Sequence, residues 1–111
     1  MKPPKILVVD DDMAIRRLLR ACLARAGLDV VEAANGREAL AALAIDKPEL
    51  VLLDLGLPDR DGLELIGAVK AAKAALLVVS ARDATGEKVA ALDLGADDYV
   101  TKPFDTEEVL A

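Results

Sequence analysis

The sequence predicts an α/β domain: a parallel sheet covered by helices on both faces. Three observations predict it. Uninterrupted Leu/Val/Ile runs recur at 6–9, 50–53 and 76–79, and such runs bounded by turn residues mark strands buried on both faces. Segments with helical spacing alternate with them, which implies parallel strands and right-handed crossovers. The chain has 111 residues, 54% of them hydrophobic, so it can build one core and is expected to form one domain, 1–111.

The first strand covers Lys5 to Asp10 and runs into Asp10-Asp11-Asp12. From Asp12 to Ala26 apolar residues fall at Ile15, Leu18, Leu19, Cys22 and Leu23, a helical pattern. Asp12 reads better as the cap of that helix than as a metal ligand. Arg16, Arg17, Arg20 and Arg25 lie mainly on the other side and read as a solvated face rather than a phosphate patch. Gly27 sits where a helix C-cap belongs. Leu28 to Ala33 is a short strand whose Asp29 and Glu32 place it near an edge. Asn35-Gly36-Arg37-Glu38 is a capping pattern, opening a helix that Lys47-Pro48 stops. The central strand follows, with Asp54 at its exit and a turn of Gly56, Pro58, Asp61 and Gly62 beyond. Asp61-Gly62-Leu63-Glu64 repeats the capping pattern for a helix to about Ala72. Ala75 to Ser80 is the fourth strand. Thr85 opens a helix to about Leu94, closed by Gly95. Asp98 to Thr101 is the fifth strand. Lys102-Pro103-Phe104 breaks it, and Asp105-Thr106-Glu107-Glu108 begins a last helix that Ala111 cuts short.

Composition excludes several function classes. The formal net charge is −6, which argues against nucleic-acid binding by this chain. The single Cys22 forms no internal disulfide and reads as a small core residue. The chain has no histidine, which removes histidine acid–base, zinc and phosphohistidine chemistry. No apolar run approaches the roughly 20 residues of a membrane span, and no signal peptide is visible. The expectation is a cytoplasmic protein with no membrane contact.

Chemistry gathers at one rim. In open parallel sheets, sites form outside the carboxyl ends of strands. Asp10, Asp11 and Asp54 would meet there, with Ser80 and Lys102 from the fourth and fifth strands. Clustered carboxylates oppose each other's ionisation unless a cation sits among them. Oxygen ligands suit Mg²⁺, with Mn²⁺ as a substitute. A divalent ion, a carboxylate nucleophile, a lysine and a hydroxyl suit phosphoryl transfer onto Asp54. Taken singly, Ser80 also reads as a turn hydroxyl and Lys102 as a surface lysine.

Four segments carry a resemblance: Ile6-Leu7-Val8-Val9-Asp10-Asp11-Asp12, Leu53-Asp54-Leu55-Gly56-Leu57-Pro58-Asp59-Arg60-Asp61-Gly62, Ser80-Ala81-Arg82, and Gly95-Ala96-Asp97-Asp98-Tyr99-Val100-Thr101-Lys102-Pro103-Phe104. In order and spacing the chain resembles the receiver domain of two-component response regulators. The resemblance implies a doubly wound, flavodoxin-like five-stranded sheet of order 2-1-3-4-5. It implies a switch, not an enzyme in its own right, although such domains promote their own phosphorylation and dephosphorylation. Asp54 matches the phosphoacceptor. Asp11 and Asp54 match Mg²⁺ ligands, Gly56 a backbone-carbonyl ligand, and Asp10 a ligand through water. Lys102 matches the phosphate-contacting lysine, Ser80 the switch hydroxyl and Tyr99 the switch aromatic, which turns inward on activation. The Lys102-Pro103 bond is implied to be cis. The partner implied is a sensor histidine kinase. Gly95 to Tyr99, with Lys88-Val89, is similar to the branch preceding a winged-helix DNA-binding domain. Leu55-Gly56-Leu57-Pro58 is similar to that branch's potassium-transport regulators. The dimer face implied, from helix four, strand five and helix five, carries Lys88, Val89, Leu92, Asp97, Asp98 and Glu108.

Two departures stand out. Ala74-Ala75 replaces the usual proline before the fourth strand, and that connection looks one residue short. The last helix is cut off and no effector follows, so an excised domain with weakened dimerisation is expected. Two other readings stay open. Asp10-Asp11-Asp12 also reads as the D-x-D of a haloacid-dehalogenase-type hydrolase, with Asp10 as nucleophile. A phospho-independent interaction module that keeps the fold is the other.

Overall fold

Five parallel strands lie in the order 2-1-3-4-5, as the resemblance implied. The computed structural model describes residues 3–80 and 85–102, with the side chains at 85–87 and 101 left aside. The strands are β1 Lys5–Val9, β2 Asp29–Ala33, β3 Leu50–Leu53, β4 Ala75–Ser80 and β5 Asp98–Thr101. The helices are α1 Met13–Arg25, α2 Gly36–Asp46, α3 Leu63–Ala71 and α4 Thr85–Leu94. The Lys102-Pro103 bond and the last capping pattern fall outside the described residues.

The continuous apolar strands follow from two-sided burial. Successive side chains of a strand point to opposite faces. Leu7 and Val9 of β1 join Val51 and Leu53 of β3 in one cluster, packed by Ala39 and Leu43 of α2, Leu65 and Ile66 of α3, and Ala91 of α4. Ile6 and Val8 join Leu52 and Val79 in a second cluster under Leu19 and Leu23 of α1. β1 is thereby sealed on both sides and becomes a fixed reference for whatever follows it. α1 differs from its expected stripe: Leu18 is 48% exposed, and Cys22 is only partly buried.

Helix ends account for most of the boundaries. Asp12 caps α1 by accepting from the Ala14 N–H. Asn35 caps α2 by accepting from Glu38 N–H, and Glu38 reaches back to Ala34 N–H, one residue earlier than a capping box would. The expected cap of α3 also differs: Asp61 accepts from Leu63 N–H, and the helix starts at Leu63. Three helices close with paired backbone bonds of the Schellman type. Gly27 and Leu28 donate to Ala24 and Leu23, Gly95 and Ala96 to Leu92 and Ala91, and Lys73 and Ala74 to Lys70 and Val69. The left-handed position holds Gly27 and Gly95 in two of them but Lys73, at φ 63°, in the third. That turn is how the short connection reaches β4: Ala75 N–H then bonds Glu49 O at 2.9 Å and the strand begins where the sequence placed it.

A side chain on Cα makes the left-handed conformation unfavourable by roughly 1–2 kcal/mol, and glycine's extra freedom in the unfolded chain offsets part of that. Lys73→Gly is therefore expected to stabilise the fold by about 1 kcal/mol in urea unfolding. A loss of stability would show that the Lys73 side chain contributes more than its backbone strain costs.

Candidate functional site

Register builds the site. Val9 pairs with Leu53, so the residues that follow, Asp10 and Asp54, leave the sheet side by side. Asp10 N–H donates to Ala33 O at 3.0 Å and Asp54 N–H to Val9 O at 2.9 Å. On the other side Ser80 pairs with Thr101, and Lys102 N–H donates to Ser80 O at 2.8 Å. Lys102 is thus carried to the acids by the sheet, across a sequence separation of 92 residues from Asp10.

Asp10, Asp11 and Asp54 bring one carboxylate oxygen each within 4.8 Å of one another. Asp10 and Asp54 are buried and Asp11 is exposed. Lys102 Nζ lies 2.6 Å from Asp10 Oδ2 and 3.5 Å from Asp54 Oδ2. Burial pushes the Asp10 carboxyl up, against the pull of Lys102 and of the Asp12 N–H. Burial would lower Lys102, but the hydrogen bond and charge of Asp10, with Asp54 behind it, outweigh that and raise it. Lys102 is therefore held as a cation between two buried carboxylates. Three carboxylates within 4.8 Å of one another fit a hard divalent cation, and Asp11 is the exposed one of the three. Asp10, Asp11 and Asp54 are the side chains that would hold it.

The loop after β3 is fixed by backbone. Gly56 N–H donates to Asp54 Oδ1 at 3.2 Å, Gly56 pairs with Asp61 in an isolated bridge, and Gly62 N–H donates to Leu55 O at 2.8 Å. A Cβ on Gly56 would meet nothing closer than Asp54 Oδ1 at 4.0 Å, so the position has room for a side chain. A Cβ on Gly62 would lie 2.6 Å from both Asp54 O and Leu55 Cα. Gly62, read from sequence only as turn punctuation, is what lets α3 start against the back of Asp54. The pattern Asp-Gly after the turn was the available signal, but it did not say what the missing side chain makes room for.

Two further braces were invisible in the sequence. Asp59 accepts from Gly36 N–H at 2.8 Å and Arg37 N–H at 3.0 Å, closing the start of α2 from the β3–α3 loop. The Gly36 bond is the main cause that lowers the Asp59 carboxyl below its usual range. Arg16 departs from the expected solvated face, its side chain being 12% exposed, whereas Arg20 stays half-exposed. Both grip Glu32 of β2, and Arg16 also reaches the Asp10 carbonyl. The sequence offered only helical spacing, which does not say how far a long side chain curls back.

The remaining expected residues are spread around this core. Ser80 is buried at 1% exposure, and Tyr99 is 6% exposed within the larger core cluster. The resemblance implied that Tyr99 turns inward on activation, yet its ring is already packed. On the expected dimer face, Val89 and Leu92 are 50% and 39% exposed, and Lys88 and Asp98 are exposed. Asp97 is exposed, but its Oδ2 already accepts from Leu76 N–H at 2.7 Å and Lys70 Nζ at 2.9 Å, bonds that lower its pKa. Glu108 lies outside the described residues.

The response regulator receiver domain family matches residues 6–111, and the chain belongs to it. The chain is 49% identical over 111 residues to the response regulator MprA of Mycolicibacterium vanbaalenii, covering 98% of this chain and 48% of that one. It is 47% identical over 107 residues to the KDP operon transcriptional regulatory protein KdpE of Escherichia coli, covering 96% and 48%. The chain spans about half the length of these curated relatives. Among solved structures it resembles a Burkholderia pseudomallei response regulator with a phosphorylated aspartic acid, calcium ion and citrate. The TM-score is 0.92 at 34% identity, over 97% of this chain and 65% of that one. Members of this family are regulatory switches whose general function is phosphorylation on an aspartate, received from histidine kinases. No helix among the described residues is long and apolar enough to cross a membrane.

Gly62→Ala is expected to push the Asp54–Leu55 backbone off its place. Overpacking of this kind costs about 1–3 kcal/mol, and here it should also slow phosphorylation. Urea unfolding and the rate with a small phosphodonor check both; parent behaviour in both would show that α3 shifts freely to make room.

Proposed function

We propose that residues 1–111 are one phosphoacceptor unit and that Asp54 is the residue phosphorylated. One observation carries this: Asp54 is the buried carboxylate with one oxygen held by Gly56 N–H and the other facing Lys102. Asp10 is held more tightly, Oδ1 by Asp12 N–H at 2.9 Å and Oδ2 by Lys102 Nζ at 2.6 Å, against 3.2 Å and 3.5 Å for the two contacts of Asp54. That arrangement disfavours the hydrolase reading, in which Asp10 would attack.

In the reaction an Asp54 carboxylate oxygen forms a bond to phosphorus. The bond from phosphorus to the donor breaks, and its electron pair leaves with the donor: a kinase histidine, or acetate when the donor is acetyl phosphate. Lys102 stays protonated and faces the charge that gathers on the phosphoryl oxygens. Mg²⁺, or Mn²⁺ in its place, would be held by Asp11, Asp54 and the Gly56 carbonyl, with Asp10 acting through water. When bound, it would neutralise phosphoryl charge. The same groups would serve dephosphorylation, in which water attacks phosphorus, the bond from phosphorus to the Asp54 oxygen breaks with its electron pair returning to the carboxylate, and inorganic phosphate leaves.

The output lies on the β4–β5 side. The Ser80 hydroxyl would meet the new phosphoryl oxygens, and β5 with Tyr99 would shift between packed arrangements rather than admit a ring from solvent. The α4–β5 face, with Lys88, Val89, Leu92 and Asp98, would then pair two copies; Asp97 would first have to leave Lys70. The transcriptional regulators among the relatives support a DNA-binding effector of the winged-helix kind, and the KdpE relatives a role in potassium transport. A sensor histidine kinase is the phosphoryl source, and the cytoplasm is where such a kinase would meet the domain.

With acetyl phosphate and Mg²⁺, mass spectrometry is expected to find one phosphoryl adduct, absent in Asp54→Ala. Lys102→Ala should slow its formation about 100-fold, the scale of removing one preorganised charge-stabilising donor. An adduct that survives in Asp54→Ala would move the site elsewhere. Ser80→Ala and Lys88→Glu are each expected to accept the phosphoryl group, yet to self-associate less than the phosphorylated parent in sedimentation. Unchanged association would refute the Ser80 route in the first case and the proposed face in the second.

A further inference from the structure

Asp11 is the exposed member of the carboxylate cluster, and none of the hydrogen bonds or ion pairs found among the described residues holds its side chain. Its position is set by its backbone, and foremost by the peptide that joins it to Asp10. The oxygen of that peptide has an identified donor: Arg16 Nη1, at 2.5 Å. The Asp10 side chain ties down the far end of the segment, with Oδ1 accepting from Asp12 N–H at 2.9 Å. Asp12 in turn caps α1.

Arg16 is itself held. Its side chain is 12% exposed, and its Nε donates to Glu32 Oε1 at 3.2 Å. The other oxygen of Glu32 takes Arg20 Nε at 2.5 Å, and Arg20 Nη2 donates to Val30 O at 3.1 Å. Glu32 sits in β2 opposite Val8 of β1. The planar guanidinium is suited to this work because its donors are fixed relative to each other. Locking Nε on Glu32 therefore aims Nη1 at the Asp10 carbonyl.

We propose that Arg16 is a positioning residue for the cation site, acting through the Asp10–Asp11 peptide, with Glu32 and Arg20 as its anchors. This rests on the phosphoacceptor reading given above. Charge and position predict opposite signs, which makes the inference testable. Arg16 is a cation near a site for a cation, so its charge alone opposes metal binding. If position dominates, losing Arg16 weakens binding, and partners that orient metal ligands typically contribute 10–100-fold in affinity.

The test is Mg²⁺ titration of the metal-free protein, followed by calorimetry and by the amide signals of residues 10–12 and 54. Arg16→Gln is expected to weaken Mg²⁺ binding about tenfold and to displace the Asp11 amide signal before any metal is added. Arg16→Lys keeps the charge but not the fork, so it should weaken binding as well. Glu32→Gln should weaken it less, in the same direction, and keeps the inference testable if Arg16→Gln does not fold. At saturating Mg²⁺, phosphorylation by acetyl phosphate should return close to the parent rate, which a general loss of structure would not allow. Arg17→Gln, the same change of charge on the exposed neighbour, should leave affinity unchanged or slightly stronger. Parent affinity or tighter binding in both Arg16 variants would overturn the role of Arg16 and leave the phosphoacceptor reading intact. A parent protein that binds no Mg²⁺ would overturn both.

Discussion

The ion pair between Lys102 and the two buried carboxylates, Asp10 and Asp54, is the constraint on which the site depends. Three acids lie together at the mouth of the sheet, and Lys102 is the cation that bridges the two buried ones. An unpaired charge in such a place is expensive, whereas a paired one roughly breaks even against its desolvation. Repulsion is thus balanced incompletely, because Asp11 adds a third carboxylate. That residual imbalance suits a divalent cation among the three carboxylates.

Holding such a cluster requires a scaffold that does not yield. β1 and β3 supply it, since both are apolar on both faces and their residues 6–9 and 51–53 are almost wholly buried. Fully burying one Leu or Val side chain contributes about 1.5–3 kcal/mol. The acids begin at the first residue beyond each apolar run, so the same pairing that fixes Val9 against Leu53 fixes Asp10 beside Asp54.

Much of this was legible because it depends on local rules. The period of the apolar runs gave the strands, the Asn, Asp and Gly positions gave the helix ends, and the acids at strand ends gave the rim. The exceptions depend on reach or on space. The covered Arg16 was not readable because spacing gives the direction of a Cβ, not where a long side chain finishes. Asp59 was one more polar loop residue until the fold brought it to the open end of α2. Gly62 looked like any turn glycine, and only the 2.6 Å approach of the Asp54 carbonyl shows why it has no side chain. Leu18 fitted a helical stripe wider than the face α1 actually buries. Lys73 in a left-handed turn was unreadable, because that position ordinarily calls for glycine.

The two sides of the site are held differently, and this bears on how a switch can work. On the β1–β3 side, Arg16 holds the Asp10 carbonyl, Gly62 N–H the Leu55 carbonyl and Asp59 the Gly36 N–H, while Gly56 N–H holds the Asp54 carboxylate. On the β4–β5 side, Ser80 and Lys102 are bonded to each other through Lys102 N–H and Ser80 O. Ser80 ends β4, and Lys102 directly follows β5, the strand that carries Tyr99. A group added to Asp54 meets a braced wall on one side and a linked pair on the other. On the proposed reading, strain from the new oxygens would be relieved through Ser80 and Lys102, along β5, toward the α4 surface where Val89 and Leu92 are exposed. Rigidity around the acids would give such a movement its direction: a loop after β3 that could give way would absorb the same change locally, and nothing would reach β5.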